Sequence, residues 1–158
     1  MLRLLVALSS RYLTGRLAIV LCSTAASQFA IAAEFRSLGD KPAIVYDAPS
    51  PKASKIAIVS PFQPFEVLVK LDKWIKIRDT RGEMGWIESA AFGDKRFVSV
   101  STPRAAIHAM PSATSSLVFE AQQQVVLEIT GPAQQGWLPV RHRDGQSGFI
   151  QAAQVFGD

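Results

Sequence analysis

Two five-residue segments carry the side chains best suited to contact another molecule: Trp74-Ile75-Lys76-Ile77-Arg78 and Trp137-Leu138-Pro139-Val140-Arg141. Indole offers a large apolar face with one polar handle, and guanidinium stacks on such a face or grips a carboxylate. Successive side chains of a strand point to opposite faces. If Ile75 and Ile77 face a core, Trp74, Lys76 and Arg78 face outward. Leu138 and Val140 set Trp137, Pro139 and Arg141 outward in the same way. Trp86 and Phe149 face opposite to their neighbours Ile87 and Ile150. The chemistry available to these residues is recognition, and the competing use of each aromatic is to cover a rim or to pack between parts of the fold.

Catalytic chemistry finds no comparable support. Gly145-Gln146-Ser147-Gly148 approaches a nucleophile elbow, but that motif needs a residue between Ser and the last Gly and a strand-to-helix turn. His108 and His142 are the two histidines, and neither has Cys, His or Glu at metal-ligand spacing. Glu83 and Glu88 flank a short strand without an echo elsewhere, which suits a solvated surface better than an acid pair. The sequence therefore predicts no catalytic residue, no metal site and no cofactor: a protein that binds rather than an enzyme.

The first 33 residues stand apart. Arg3, Arg11 and Arg16 are the only charges before Glu34, and an apolar run follows them, which is the layout of a cleavable export signal. From Leu17 to Ala33 the run is short and diluted by Ser23, Thr24, Ser27 and Gln28, too polar for a stable membrane anchor. Ala30-Ile31-Ala32 supplies the small-x-small pattern of a cleavage site, so the exported chain is expected to begin at Ala33 or Glu34. Cys22 is the single cysteine, and Leu21 before it does not suit lipoprotein processing. With the signal gone no disulfide can form, and a periplasmic protein of this kind must rely on its core. Three of the 17 Lys and Arg residues and none of the 13 acids lie in the signal, so the net charge of +4 largely leaves with it. No Lys/Arg stripe remains for nucleic acid.

What must position the aromatic and basic residues is a repeated unit. Glu34-Phe35-Arg36-Ser37 is echoed by Arg96-Phe97-Val98-Ser99, Ala48-Pro49-Ser50 by Met110-Pro111-Ser112, and Trp74 to Arg78 by Trp137 to Arg141. Gly85-Trp86-Ile87 and Phe92-Gly93-Asp94 return as Gly148-Phe149-Ile150 and Phe156-Gly157-Asp158, a period of about 62 residues. Within each copy, short Val- and Ile-rich runs alternate with Pro, Gly, Asp and Ser, the punctuation of strands and turns. Strands are predicted over 43–47, 55–59, 65–70, 74–78 and 84–87, with counterparts in copy two, and single 3₁₀ turns over 88–91 and 151–154. The fold class is all-β: two tandem small barrels at 34–94 and 95–158 after the signal peptide at 1–33.

A Trp-x-Lys-apolar strand, a Gly-containing hairpin and a Gly-aromatic-apolar strand, preceded by a Pro-Ser turn, resemble the bacterial SH3 domain. Copy one shows Pro49-Ser50, Trp74-Ile75-Lys76-Ile77, Gly82 and Gly85-Trp86-Ile87; copy two shows Pro111-Ser112, Trp137, Gly145 and Gly148-Phe149-Ile150, with Pro139 in place of the lysine. The resemblance implies two SH3-like barrels, as in tandem exported proteins of Gram-negative bacteria, and recognition of cell-wall peptides or protein segments. Members often carry an arginine where this chain has Tyr46 and His108, so a contact made by that arginine does not carry over.

The candidate ligand-contacting set is therefore Tyr46, Trp74, Arg78 and Trp86 in copy one and His108, Trp137, Arg141 and Phe149 in copy two. The partner expected is a peptidoglycan peptide or an envelope protein; a structural part in an envelope assembly is the alternative, and a hydrolase or its regulator a third. Two further expectations concern geometry. Pro139 cannot donate a ladder hydrogen bond, and strand equivalence extends that vacancy to the Lys76 N–H. Only Lys95 and Arg96 separate the copies, so they should pack in one fixed arrangement with Phe92 and Phe97 at the seam.

Overall fold

The computed structural model describes residues 33–158, so the export signal read in the preceding residues lies outside the described part. Copy one contributes β1 (Glu34–Ser37), β2 (Ala43–Tyr46), β3 (Lys55–Val59), β4 (Pro64–Lys70), β5 (Trp74–Arg78) and β6 (Met84–Glu88). Copy two contributes β7 (Phe97–Val100), β8 (Arg104–His108), β9 (Leu117–Gln122), β10 (Val126–Ile129), β11 (Trp137–Arg141), β12 (Ser147–Gln151) and β13 (Val155–Phe156). The first sheet runs β1-β4-β5-β6-β2-β3 and the second β13-β7-β10-β11-β12-β8-β9, the same order in both copies apart from the extra strand. In copy one a single bridge, Leu38 to Phe92, stands where copy two has β13. Single 3₁₀ turns at Ser89–Ala91 and Ala152–Gln154 precede these closures, as expected.

Alternation holds where it was expected to hold. Ile75, Ile77 and Ile87 are buried with Phe65 in one core, and Leu138, Val140 and Ile150 with Leu127 in the other. Glycine in the Gly-aromatic-apolar strands has a steric reason. A Cβ on Gly148 would sit 2.6 Å from the His108 carbonyl oxygen, and one on Gly85 would overlap the Val45 side chain. The neighbouring strand can cross there only over a bare backbone.

The two copies diverge at Pro139. In copy two β10 stops at Ile129, and the Thr130 N–H donates to the Pro139 carbonyl at 2.9 Å as the ladder runs out. In copy one β4 continues through a bulge between Val67 and Val69, and Lys76 stands opposite Val69 on one side and Trp86 on the other. The vacancy expected at the Lys76 N–H therefore does not follow from Pro139, because the neighbouring strand is longer in copy one.

β1 and β7 were visible in the sequence only as an echo, since four residues are too few to display a period. β7 is buried along its whole length. Val98 and Val100 enter the second core, while Phe97 faces the first copy, its ring 4.8 Å from that of Phe62. The Phe97 N–H donates to Ser37 Oγ at 2.9 Å, and the Ser37 hydroxyl donates back to the Phe97 carbonyl at 3.3 Å. Phe35 meets Phe156 edge-on at 5.1 Å. Residues 33–158 thus form one compact unit rather than two beads.

The seam expectation is right for Phe97 and wrong for Phe92. Phe92 bridges to Leu38 and fills the first core, with the Arg36 guanidinium 5.1 Å above its ring. Its echo Phe156 takes the seam position instead. Both linker residues are tied to copy two: Lys95 pairs with Glu128 at 2.9 Å, and Arg96 Nη2 donates to the Gly157 carbonyl at 2.9 Å.

Candidate functional site

The aromatic residues singled out by the sequence do converge, as one cluster on each barrel. Strand register puts Tyr46, Trp86 and Lys76 in one row across β2, β6 and β5, and His108, Phe149 and Pro139 in the equivalent row. Trp74 sits two residues from Lys76 on the same outer face and meets Tyr46 edge-on at 5.2 Å. Trp137 meets His108 edge-on at 5.5 Å. His108 Nδ1 lies 2.9 Å from the Ser115 carbonyl, which can only accept, so Nδ1 carries a proton.

These tryptophans are not open platforms. Trp74 and Trp137 are 8% and 9% exposed although they lie outside the two core clusters, with the ring of Tyr46 packed on the first and that of His108 on the second. Nor does either Trp join an arginine. Arg78 and Arg141 lie four residues along the strand, roughly 13 Å away at strand rise. Arg78 is moreover occupied, its Nε 3.5 Å from the Glu66 carboxylate. Trp74 does border a small hollow of about 340 Å³ with Pro51, Asp72 and Glu88.

A larger hollow than this lies elsewhere, in the cleft between the copies, with a volume of about 930 Å³. Its apolar lining is Leu38, Pro61 and Phe62 from copy one and Phe97, Val125 and Val126 from copy two. Phe62 holds a positive φ of 66°, a region that bulky side chains rarely adopt, and the turn is fixed by its N–H donating to the Gly39 carbonyl at 3.1 Å. Stacking against Phe97 offsets the strain, and 39% of Phe62 remains exposed. Its echo Gln124 has φ 68°, so the turn is shared and the aromatic is what copy one adds.

Charged side chains ring this floor. Asp40 and Asp94 come from copy one, Glu128, Arg141 and Arg143 from copy two, and Lys95 from the junction. Asp40 and Asp94 follow Gly39 and Gly93, whose backbones pack so closely that a Cβ on Gly93 would lie 3.2 Å from the Gly39 Cα. Arg141 and Arg143 belong to the β11–β12 hairpin, which Asp144 stabilises by accepting from the Gln146 N–H at 2.9 Å. That hydrogen bond, with a smaller contribution from His142 at 3.0 Å, holds the Asp144 carboxyl below its ordinary range.

Comparing the copies isolates Arg141. Glu66 and Arg78 face each other across β4 and β5 and form an ion pair; Glu128 and Arg141 face each other across β10 and β11 but do not. Lys95 has taken Glu128. Arg141, Arg143, Asp40 and Asp94 have no ion-pair partner among the described residues. Of the sequence candidates only Arg141 lines the cleft. Phe62, Asp40, Asp94 and Arg143 were missed, although an aromatic at Phe62 where copy two has polar Gln124 was a readable signal.

Comparison with curated proteins gives no significant match. Among solved structures, NlpC2 and NlpC1 from Trichomonas vaginalis are similar, at 13% and 17% identity over 80% and 91% of this chain, each with a TM-score of 0.37. An NlpC/P60 family protein from Bacillus cereus is similar at 15% identity over 78% of this chain, with a TM-score of 0.34. The chain spans about half the length of these proteins, 49%, 51% and 56% respectively, and no residue role is carried over from them. The family model for the bacterial SH3 domain matches twice, over residues 39–92 and 101–157, which take in each of the two sheets except its first strand, β1 or β7. With the repeat, the strand order and both matches in agreement, the chain belongs to the bacterial SH3 domain family.

Proposed function

We propose that this chain is an exported, non-catalytic binding protein of the periplasm that docks an extended cell-wall peptide in the cleft between its two bacterial SH3 domains. The observation that carries this reading is the cleft itself: about 930 Å³, an apolar floor supplied by both copies and a charged rim. Ligand sites of that size and make-up bury an apolar body while a few polar groups orient it. A groove between two locked barrels suits an extended chain, and a fixed seam spares the ligand the cost of ordering it. The groups around the floor, guanidinium, carboxylate and phenyl, are suited to holding a ligand.

Binding to purified peptidoglycan sacculi and to soluble stem peptides tests the proposal. Saturable binding is expected, with amide shifts in NMR concentrated at Phe62, Phe97 and Arg141 and little change at the indoles of Trp74 and Trp137. Absence of binding to either material, together with stable co-purification of an envelope protein, would place the chain in a structural assembly instead. Export has its own test: protein from a periplasmic fraction should begin at Ala33 or Glu34. An intact Met1 in the cytoplasm contradicts it.

A further inference from the structure

We infer that the ligand of the inter-barrel cleft is a peptide carrying both a free carboxylate and a free amine, the carboxylate held by Arg141 with Arg143 and the amine by Asp40 and Asp94. The inference rests on the peptide-binding reading above and deepens it. Its first support is the comparison the protein makes with itself. An arginine opposite a glutamate across neighbouring strands forms an ion pair in copy one, at 3.5 Å. In copy two the same pairing is available, yet Lys95 engages Glu128 at 2.9 Å and Arg141 is left open at the cleft. A free guanidinium beside an apolar floor presents a planar fork that fits a carboxylate.

The second support comes from the opposite wall. Gly39 and Gly93 pack back to back, and the residues that follow them, Asp40 and Asp94, both line the cleft from copy one, neither with an ion-pair partner among the described residues. Each offers the cleft a carboxylate with no cation of its own, and the ammonium of a ligand supplies one. With Glu128 neutralised by Lys95, the charges left unpaired in the cleft are thus acidic on the copy-one wall and basic on the copy-two wall, and Phe62 is part of the apolar lining. A ligand with a single sign of charge meets one favourable wall and one unfavourable wall. A zwitterionic peptide satisfies both and fixes its own direction in the groove.

The test uses the chain as purified from the cell and three probes: the tripeptide alanyl-γ-glutamyl-lysine, the same peptide with its carboxylates amidated, and the same peptide with its amines acetylated. The free tripeptide is expected to bind the unaltered protein best. Arg141→Gln should weaken it about tenfold, the loss expected when a charge-assisted hydrogen bond goes, and should leave the amidated peptide's weaker binding unchanged. Asp94→Asn should weaken the free peptide and leave the acetylated peptide unchanged. Arg104→Gln, whose pair with Glu120 lies away from the cleft, should alter none of them. Unchanged melting of the variants excludes loss of fold. If the tripeptide binds and neither substitution matters, the charge assignment is wrong while the peptide-binding reading survives. If sacculi bind but all three probes fail, the ligand class is wrong. If neither sacculi nor probes bind, the underlying reading falls with it.

Discussion

Replacing Ile77 or Val140 with alanine is expected to cost about 2–5 kcal/mol of stability, while Lys76→Ala is expected to stay within about 0.5 kcal/mol. Ile77 is 2% exposed and Val140 is fully buried, each inside the core of its own barrel. Truncation removes buried methyl groups and leaves a cavity that strands pinned on both sides cannot collapse into. Lys76 lies one residue away on the other face, half-buried in the row with Tyr46 and Trp86. Denaturant titration of the three variants measures the difference. Equal losses at Ile77 and Lys76 would show that the strand faces are reversed.

Separating the copies is expected to have an effect at least as large. Fragments 34–94 and 96–158 should each melt well below the tandem and associate at concentrations where the tandem does not. Division uncovers Phe35 and Phe62 on one fragment and Phe97 and Phe156 on the other, residues that now stack in pairs at 5.1 and 4.8 Å. Full burial of one such ring is worth about 1.5–3 kcal/mol, and the uncovered patch invites aggregation. The division also strands Ser37, a buried hydroxyl whose partners are the Phe97 backbone groups. A milder lesion at the same place is Gly157→Ala, because a Cβ there would sit 2.8 Å from the Pro64 Cβ and 2.9 Å from the Phe97 carbonyl oxygen, with φ at 113°. Fragments that melt at the tandem's own temperature and tumble separately in NMR would mean that the seam contributes nothing to stability.

The recognition proposed at the cleft would depend on that seam in a way neither barrel could supply alone. Phe62 belongs to one copy and Phe97 to the other, and the unpaired Asp40 and Asp94 lie on the first while Arg141 and Arg143 lie on the second. Loosening the seam should therefore weaken binding as well as stability. Trp74 and Trp137, the most conspicuous residues in the chain, stand apart from this: their rings are spent on covering the outside of each barrel.

The amino-acid sequence by itself determined everything whose cause is local. Alternation in Trp74-Ile75-Lys76-Ile77-Arg78 assigns the inward face from the strand's own period, and the positive φ of Gly82 and Gly145 follows from hairpin positions that glycine enters most easily. The repeat doubles each such inference, so most strand positions of one barrel were legible twice, while the order of the strands within the sheet was not. Only the tertiary structure decided what covers an outward face. Trp74 is closed by Tyr46, Phe92 turns inward while its echo Phe156 turns to the seam, and Lys95 takes Glu128 from Arg141. Each of these outcomes is set by a neighbour that arrives from a distant part of the chain or from the other copy. Periodicity within a strand records which way a side chain points, and carries no information about what it will meet there.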